Sequence, residues 1–352
     1  MHMDVCSNGD ATKPAPHHVL DFTLLSNPVG PSAKARHAMR KALKGAHLRP
    51  DPQTRRLRRF LAKKEHIEPE NILFGHGSAQ ILDMLMAAYR PGRLLAPSPV
   101  PPHYAQLAAR HGAEVVPFPL RADRRFSLDA EALAAAAQGV DALFLPNPHP
   151  VTGTVAESRA LDRIIAAVAG SQAVLVIDEA LAGFASVESP VARAVQSPNL
   201  LILRTFSLFH ALAGLRLGYT IGSGETCGRI AGAIDPGPMN IVAAAGALAS
   251  LRDAGLARRT AEFLAAERTY MAAKLARIEG MATLETACNF IIVTVGKAAD
   301  VLRQRLLERN VLVDVFEDEE GKAYIRVPLR RRRENARFAR ALAWALAAGA
   351  AS

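Results

Sequence analysis

Short apolar segments punctuate the middle of the chain at Asn71–Phe74, Arg93–Ala96, Glu114–Phe118, Ala142–Leu145, Ala173–Ile177, Leu200–Arg204 and Leu217–Ile221. Helical stretches lie between them, among them Ala79–Ala88, Tyr104–His111, Leu128–Ala137 and Ala156–Ala169. Strands that alternate with helices predict an α/β domain with a mostly parallel central sheet, because parallel neighbours are joined through helical crossovers. The segments are almost continuously apolar, as burial on both faces demands.

After Asp235 the pattern changes. A stretch from Ala243 to about Glu279 carries Leu256, Phe263, Leu264, Met271 and Leu275 at helical spacing and reads as one long helix. A smaller α+β unit follows, with strands at Asn289–Val295, Val311–Val315 and Ala323–Val327 and helices at Ala298–Glu308 and Glu334–Leu346. A helix at Pro31–Lys44 is expected to pack on this unit. The expected organisation is a large domain over residues 46–240, a small domain combining 17–45 with 241–352, and a disordered arm over 1–16.

Half of the 352 residues are hydrophobic, enough for a sizeable core. The net charge is +10, but the excess is mainly arginine, 34 against 9 lysines, and is scattered except at Arg330–Arg333. That run lacks interleaved aromatics, so nucleic acid is not an expected partner. No apolar run reaches the ~18 residues of a membrane span, and the polar Met1–Pro16 is neither signal nor anchor. Cys6, Cys227 and Cys288 are too scattered for a disulfide framework, so a cytoplasmic protein is expected. No lysine occurs between Lys64 and Lys274.

Several stretches read as site loops. Gly75-His76-Gly77-Ser78 follows a strand and opens a helix, where free N–H groups suit an anion. Asn147 to Gly153 is a proline-stiffened turn. Asp178 ends a very apolar strand, at the sheet edge where α/β proteins bind ligands, and could face a cationic ring nitrogen or simply cap a helix. Arg216, between Gly214 and Gly218, could reach a phosphate. Arg326 interrupts an apolar strand, as an edge residue or a carboxylate clamp.

Together, in this order, these motifs resemble the fold-type I pyridoxal-phosphate enzymes of the class I/II aminotransferase group. The likeness is greatest to the branch of histidinol-phosphate aminotransferase and the cobalamin-pathway threonine-phosphate decarboxylase. Leu20-Asp21-Phe22, Asn27-Pro28-Val29-Gly30-Pro31, Ala287-Cys288-Asn289-Phe290 and Glu334-Asn335 extend it over nearly the whole chain. The resemblance implies that Gly77, Ser78, Ala79, Ser207 and Arg216 grip the cofactor phosphate. It implies that Tyr104 stacks on the pyridine, Asp178 pairs with its nitrogen and Arg326 binds the substrate carboxylate. It also implies a homodimer acting on a small-molecule metabolite.

Other positions depart from the family. Leu208 stands where the Schiff-base lysine belongs, and no neighbour supplies one. Pro150 and Leu181 replace the asparagine and tyrosine that contact the cofactor's 3-hydroxyl, and Arg49 replaces a tyrosine given across the dimer interface. Lysine attaches the cofactor and shuttles protons; leucine does neither. The expectation is pyridoxal or pyridoxamine phosphate, or another phosphorylated ligand, held without a covalent bond. Lysine-independent chemistry would follow, with His210 as the candidate base. The alternatives are a non-catalytic paralogue and a new or metal site built from His76, His149 and His210.

Overall fold

The computed structural model describes residues 19–279, 281–295, 299–318 and 320–347. The arm expected over 1–16 lies outside these residues. Its strands are β1 (Leu20–Phe22), β2 (Ile72–Gly75), β3 (Arg93–Ser98), β4 (Glu114–Pro119), β5 (Ala142–Pro146), β6 (Val174–Asp178), β7 (Leu200–Thr205), β8 (Gly218–Ile221), β9 (Ala282–Glu285), β10 (Phe290–Val295), β11 (Val311–Glu317) and β12 (Ala323–Pro328). Its helices are α1 (Ala33–Leu43), α2 (Arg55–Glu65), α3 (Ser78–Tyr89), α4 (Pro102–His111), α5 (Ala130–Ala136), α6 (Ser158–Ala169), α7 (Val191–Ala194), α8 (Gly224–Ala233), α9 (Ile241–Leu251), α10 (Gly255–Leu275), α11 (Ala299–Glu308) and α12 (Arg332–Ala347).

One sheet has the order β2-β8-β7-β6-β5-β3-β4, parallel except where β8 runs against both β2 and β7. This is the mostly parallel sheet expected from the sequence. Its strands are buried on both faces by alternation. Leu143, Leu145, Leu175, Ile177 and Ile202 join one core, while Phe144, Val174, Val176, Leu201 and Leu203 join the other. Helix α6 covers the first core with Leu161, Ile164, Ile165 and Val168, one stripe at helical spacing.

The second sheet has the order β1-β11-β12-β10-β9. β1 joins it in parallel to β11, and the other pairings are antiparallel. One face packs on α10, α11 and α12 through Phe22, Leu264, Met271, Leu306 and Phe338. The other face contributes Phe290, Ile292, Phe316 and Tyr324 to a cluster that also holds Leu25, Val151 and Leu181.

Two helical expectations need correction. The long helix read from Ala243 is two, α9 and α10, separated at Asp253, whose carboxylate accepts from the Gly255 N–H and pairs with Arg259. A local side-chain-to-backbone turn at Asp253 ends the run although the apolar spacing continues through it. Helix α1 packs on α9, and α9 contributes Ala243 and Ala247 to the core of the large sheet, not to the smaller unit.

Candidate active site

A cavity of about 350 Å³ opens at the carboxyl ends of the large sheet, walled on its other side by the small one. Ser78 follows β2, His103 lies just past β3, Pro146 ends β5, Asp178 ends β6 and Thr205 ends β7. Arg216 precedes β8, which runs the opposite way and so begins at the same edge. Asp314, Phe316 and Arg326 come from β11 and β12.

At one end, Gly77 caps α3 with φ +83°, and a Cβ there would lie 2.6 Å from Arg216 Nη2. Only glycine both takes this backbone angle and leaves room for the guanidinium. Close by, a Cβ on Gly218 would meet the Ser78 nitrogen at 2.7 Å, so strand and helix start are packed backbone to backbone. The first-turn N–H groups of α3, the Ser78 hydroxyl, Thr205, Ser207 and Arg216 therefore converge on one corner. Backbone donors, hydroxyls and a guanidinium at a helix N-terminus suit a phosphate. Thr205 was not among the expected grips; it ends β7 two residues before Ser207, and its Oγ1 accepts from the Ser207 N–H at 3.1 Å.

Asp178 lies in the cavity floor, 6% exposed. Its Oδ2 accepts from Tyr104 Oη at 2.7 Å and its Oδ1 from the Ala180 N–H at 2.9 Å. The next residue, Glu179, points to the opposite face and pairs with Arg204 at 2.8 Å, which also reaches Glu65 at 3.0 Å. Two acidic neighbours thus take separate work, Asp178 facing the cavity and Glu179 tying the end of β6 to Arg204 of β7.

The structure moves three expected residues. Tyr104 cannot stack on a ligand: its ring is 0% exposed, edge-on to Phe144, with its hydroxyl on Asp178. The ring in the wall is its neighbour His103, which opens to the cavity. The residue is exposed, and partial desolvation of its ring against the cavity wall lowers its pKa despite the opposing charge of Asp178. His210 does not line the cavity. Its Nδ1 meets Ser250 Oγ at 2.7 Å and its ring packs on Phe206 and Phe209, and burial lowers its pKa to about 4. Arg326, expected as an open clamp, is closed. Its Nη1 donates to Pro150 O at 2.7 Å, and its Nη2 to Thr23 O at 3.0 Å and to Asp314 Oδ2.

The metal alternative fails on geometry. The ring of His149 is committed within its own turn: Nδ1 accepts from the Val151 and Thr152 N–H groups, and Nε2 faces Pro97 O at 3.4 Å. Burial lowers its pKa to about 4. His76 does not line the cavity, and its backbone N–H donates to Gln80 Oε1. No group of three or more His, Cys, Asp or Glu placed for a metal occurs among the described residues.

Leu208, Leu181 and Pro150 stand together in the wall. Leu181 is 1% exposed and belongs to the hydrophobic cluster of the small sheet, against which Leu208 also packs. Arg49 is exposed on this chain and lines no part of the cavity.

Comparison with known proteins decides the lineage. The family described as aminotransferase class I and II matches residues 19–342. The chain belongs to this family. It is 34% identical over 337 residues to a histidinol-phosphate aminotransferase of Symbiobacterium thermophilum, covering 95% of this chain and 92% of that protein. The crystal structure of histidinol-phosphate aminotransferase from Sinorhizobium meliloti in complex with pyridoxal 5′-phosphate superposes with a TM-score of 0.84 at 24% identity, covering 94% of this chain and 91% of that one. L-threonine-O-3-phosphate decarboxylase from Porphyromonas gingivalis does so at 0.77 and 20%, covering 94% and 100%. At such identities the two structures speak for the fold. The family is pyridoxal-phosphate-dependent, and its members are typically homodimers. No helix among the described residues is long and apolar enough to cross a membrane.

Proposed function

We propose that this aminotransferase relative binds pyridoxal or pyridoxamine phosphate without a covalent bond and does not carry out ordinary transamination. One observation carries the reading. The corner that suits a phosphate and the carboxylate that suits a ring nitrogen remain, while the three positions that would hold and work the other end of the cofactor are Leu208, Leu181 and Pro150. The bound group supplies an electron sink, which is strongest with its ring nitrogen protonated. Asp178 would hold that proton, oriented by Tyr104 and the Ala180 N–H. Arg216, Ser78, Thr205 and Ser207 would fix the phosphate.

His103 is the imidazole in the wall, and with its lowered pKa it is neutral near pH 7, as a proton acceptor must be. It takes over the role first sought at His210. The substrate is a small amino metabolite. The protein works as a homodimer, in keeping with its family, and the apolar cleft of Leu57, Met239, Ile241, Ala244 and Leu248 is a surface that a second copy would cover.

A second reading, a non-catalytic paralogue that keeps the ligand as a structural or regulatory group, is favoured by the way Leu181 and Leu208 have joined a hydrophobic cluster. Melting curves with pyridoxamine phosphate and pyridoxal phosphate test the shared premise, since a ligand that binds only the folded state raises its stability. Stabilisation with no covalent product after borohydride is expected. A borohydride-fixed adduct on the wild-type chain would overturn non-covalent binding. Proton exchange at the carbon next to the amine of candidate substrates, lost in His103→Gln while binding persists, separates the enzyme from the silent paralogue.

A further inference from the structure

We infer that the end of the cavity formed by β11 and β12 is built to refuse a carboxylate and to take a small apolar amine, held by Asp314. The inference rests on the reading of the site given above, and it specifies the class of substrate.

Asp314 and Arg326 sit directly opposite one another on neighbouring antiparallel strands. Directly opposed residues hold their side chains within contact distance, so backbone register itself sets the pair. Both side chains are largely buried, at 19% and 11% exposure. The arginine is also tied at Pro150 O and Thr23 O, so both its terminal nitrogens are engaged. Its Nε, buried and without a partner, is not open to the cavity. A guanidinium engaged in this way does not present the paired N–H fork that a carboxylate needs. An incoming carboxylate would have to displace Asp314 or lie beside it, and like charges at close range in a poorly hydrated site repel strongly.

The cavity gives the rest of the preference. At this end the apolar lining is Leu25, Val151 and Phe316, which belong to one hydrophobic cluster. Arg326 engages Oδ2 of Asp314, and Arg303 and Asp21 are the other charged groups that act on this carboxylate. The carboxylate lines the cavity, so what this end offers a ligand is a hydrogen-bond acceptor in an apolar setting. An ammonium or amine on an apolar body matches it; an amino acid, which brings its own carboxylate, does not.

Two inert probes differ only in that group: the reduced adducts of pyridoxal phosphate with 2-phenylethylamine and with L-phenylalanine. Their dissociation constants would be measured by calorimetry on the full chain, with pyridoxamine phosphate as reference. The amine adduct is expected to bind about tenfold more tightly or better. Asp314→Asn, which removes the charge paired with Arg326, should erase or reverse that preference. Equal binding, or tighter binding of the phenylalanine adduct, would overturn the inference and leave the phosphate-site reading standing. A preference that persists in a folded Asp314→Asn would overturn the role of Asp314. If neither adduct nor pyridoxamine phosphate binds, the site reading falls and takes this inference with it. The wild-type comparison decides even if the variant does not fold.

Discussion

The two ends of one cavity have followed different rules. At the Arg216 end the polar groups are aimed inward and left available: a helix start, hydroxyls and a guanidinium seated over a glycine that only that geometry requires. At the Leu208 end the groups point at each other or are apolar. Arg326 is closed on Asp314, and Leu181 and Leu208 pack with the small sheet. A binding surface keeps its polar atoms unsatisfied until a ligand arrives, whereas a packed surface satisfies or removes them. The first end presents open polar groups, and the second is closed and apolar apart from the Asp314 carboxylate.

The most decisive way to break that contrast is to restore the missing amine. Leu208→Lys should turn a chain with no borohydride-fixed adduct into one that carries pyridoxyl phosphate covalently, read by intact mass. If wild type and variant both carry the adduct, or neither does, Leu208 is not what divides the ends. Arg216→Ala attacks the other side. Loss of a charge-assisted phosphate contact costs about 1.5–3 kcal/mol, so affinity for pyridoxamine phosphate should fall roughly 10- to 100-fold while the melting temperature of the free protein hardly moves. An unchanged affinity would remove the phosphate from that corner.

These two effects also mark what could be read from sequence. The sheet was legible because each strand is an unbroken apolar run and each crossover a helix with one apolar stripe. That Ser78, Asp178 and Arg216 line the cavity was legible, because Ser78 follows a glycine, Asp178 ends a strand and Arg216 lies in a glycine-flanked loop. Leu208 was legible as an absence. Tyr104 and His103 were not separable, since a one-residue difference at a helix start decides which ring faces the cavity. Nor was the closure of Arg326, because a strand register pairing two residues twelve apart in sequence is invisible in either strand alone. Thr205 was hidden for a similar reason: a threonine at a strand end has many ordinary uses. The break between α9 and α10 lay in a single turn-forming aspartate under an uninterrupted apolar pattern.

A smaller effect sharpens the comparison through pH. His149, which braces the turn behind Pro150, and His210 are both held near pKa 4 by burial, against about 6.5 unfolded. Their contribution to stability is complete above the unfolded pKa and is lost as pH falls towards 4, because the unfolded chain takes up protons first. Urea unfolding should therefore show a loss of about 2–3 kcal/mol per histidine between pH 7 and pH 4. His149→Asn should flatten part of that slope, and a slope unaltered in a folded variant would mean that His149 is not neutral and buried. The smallest expected change is Tyr104→Phe. Removing one donor from a buried carboxylate costs about 1–3 kcal/mol, seen as a lower melting temperature, with phosphate-end affinity nearly intact.

Asp178 meets its two donors, Tyr104 Oη and the Ala180 N–H, within the chain itself. That carboxylate therefore has its partners before any ligand enters. Where a lysine bond makes the cofactor a permanent fixture, a guest held only by its phosphate and ring comes and goes. Under the proposed non-covalent binding, occupancy would follow the free concentration of the guest, filling and emptying as supply rises and falls.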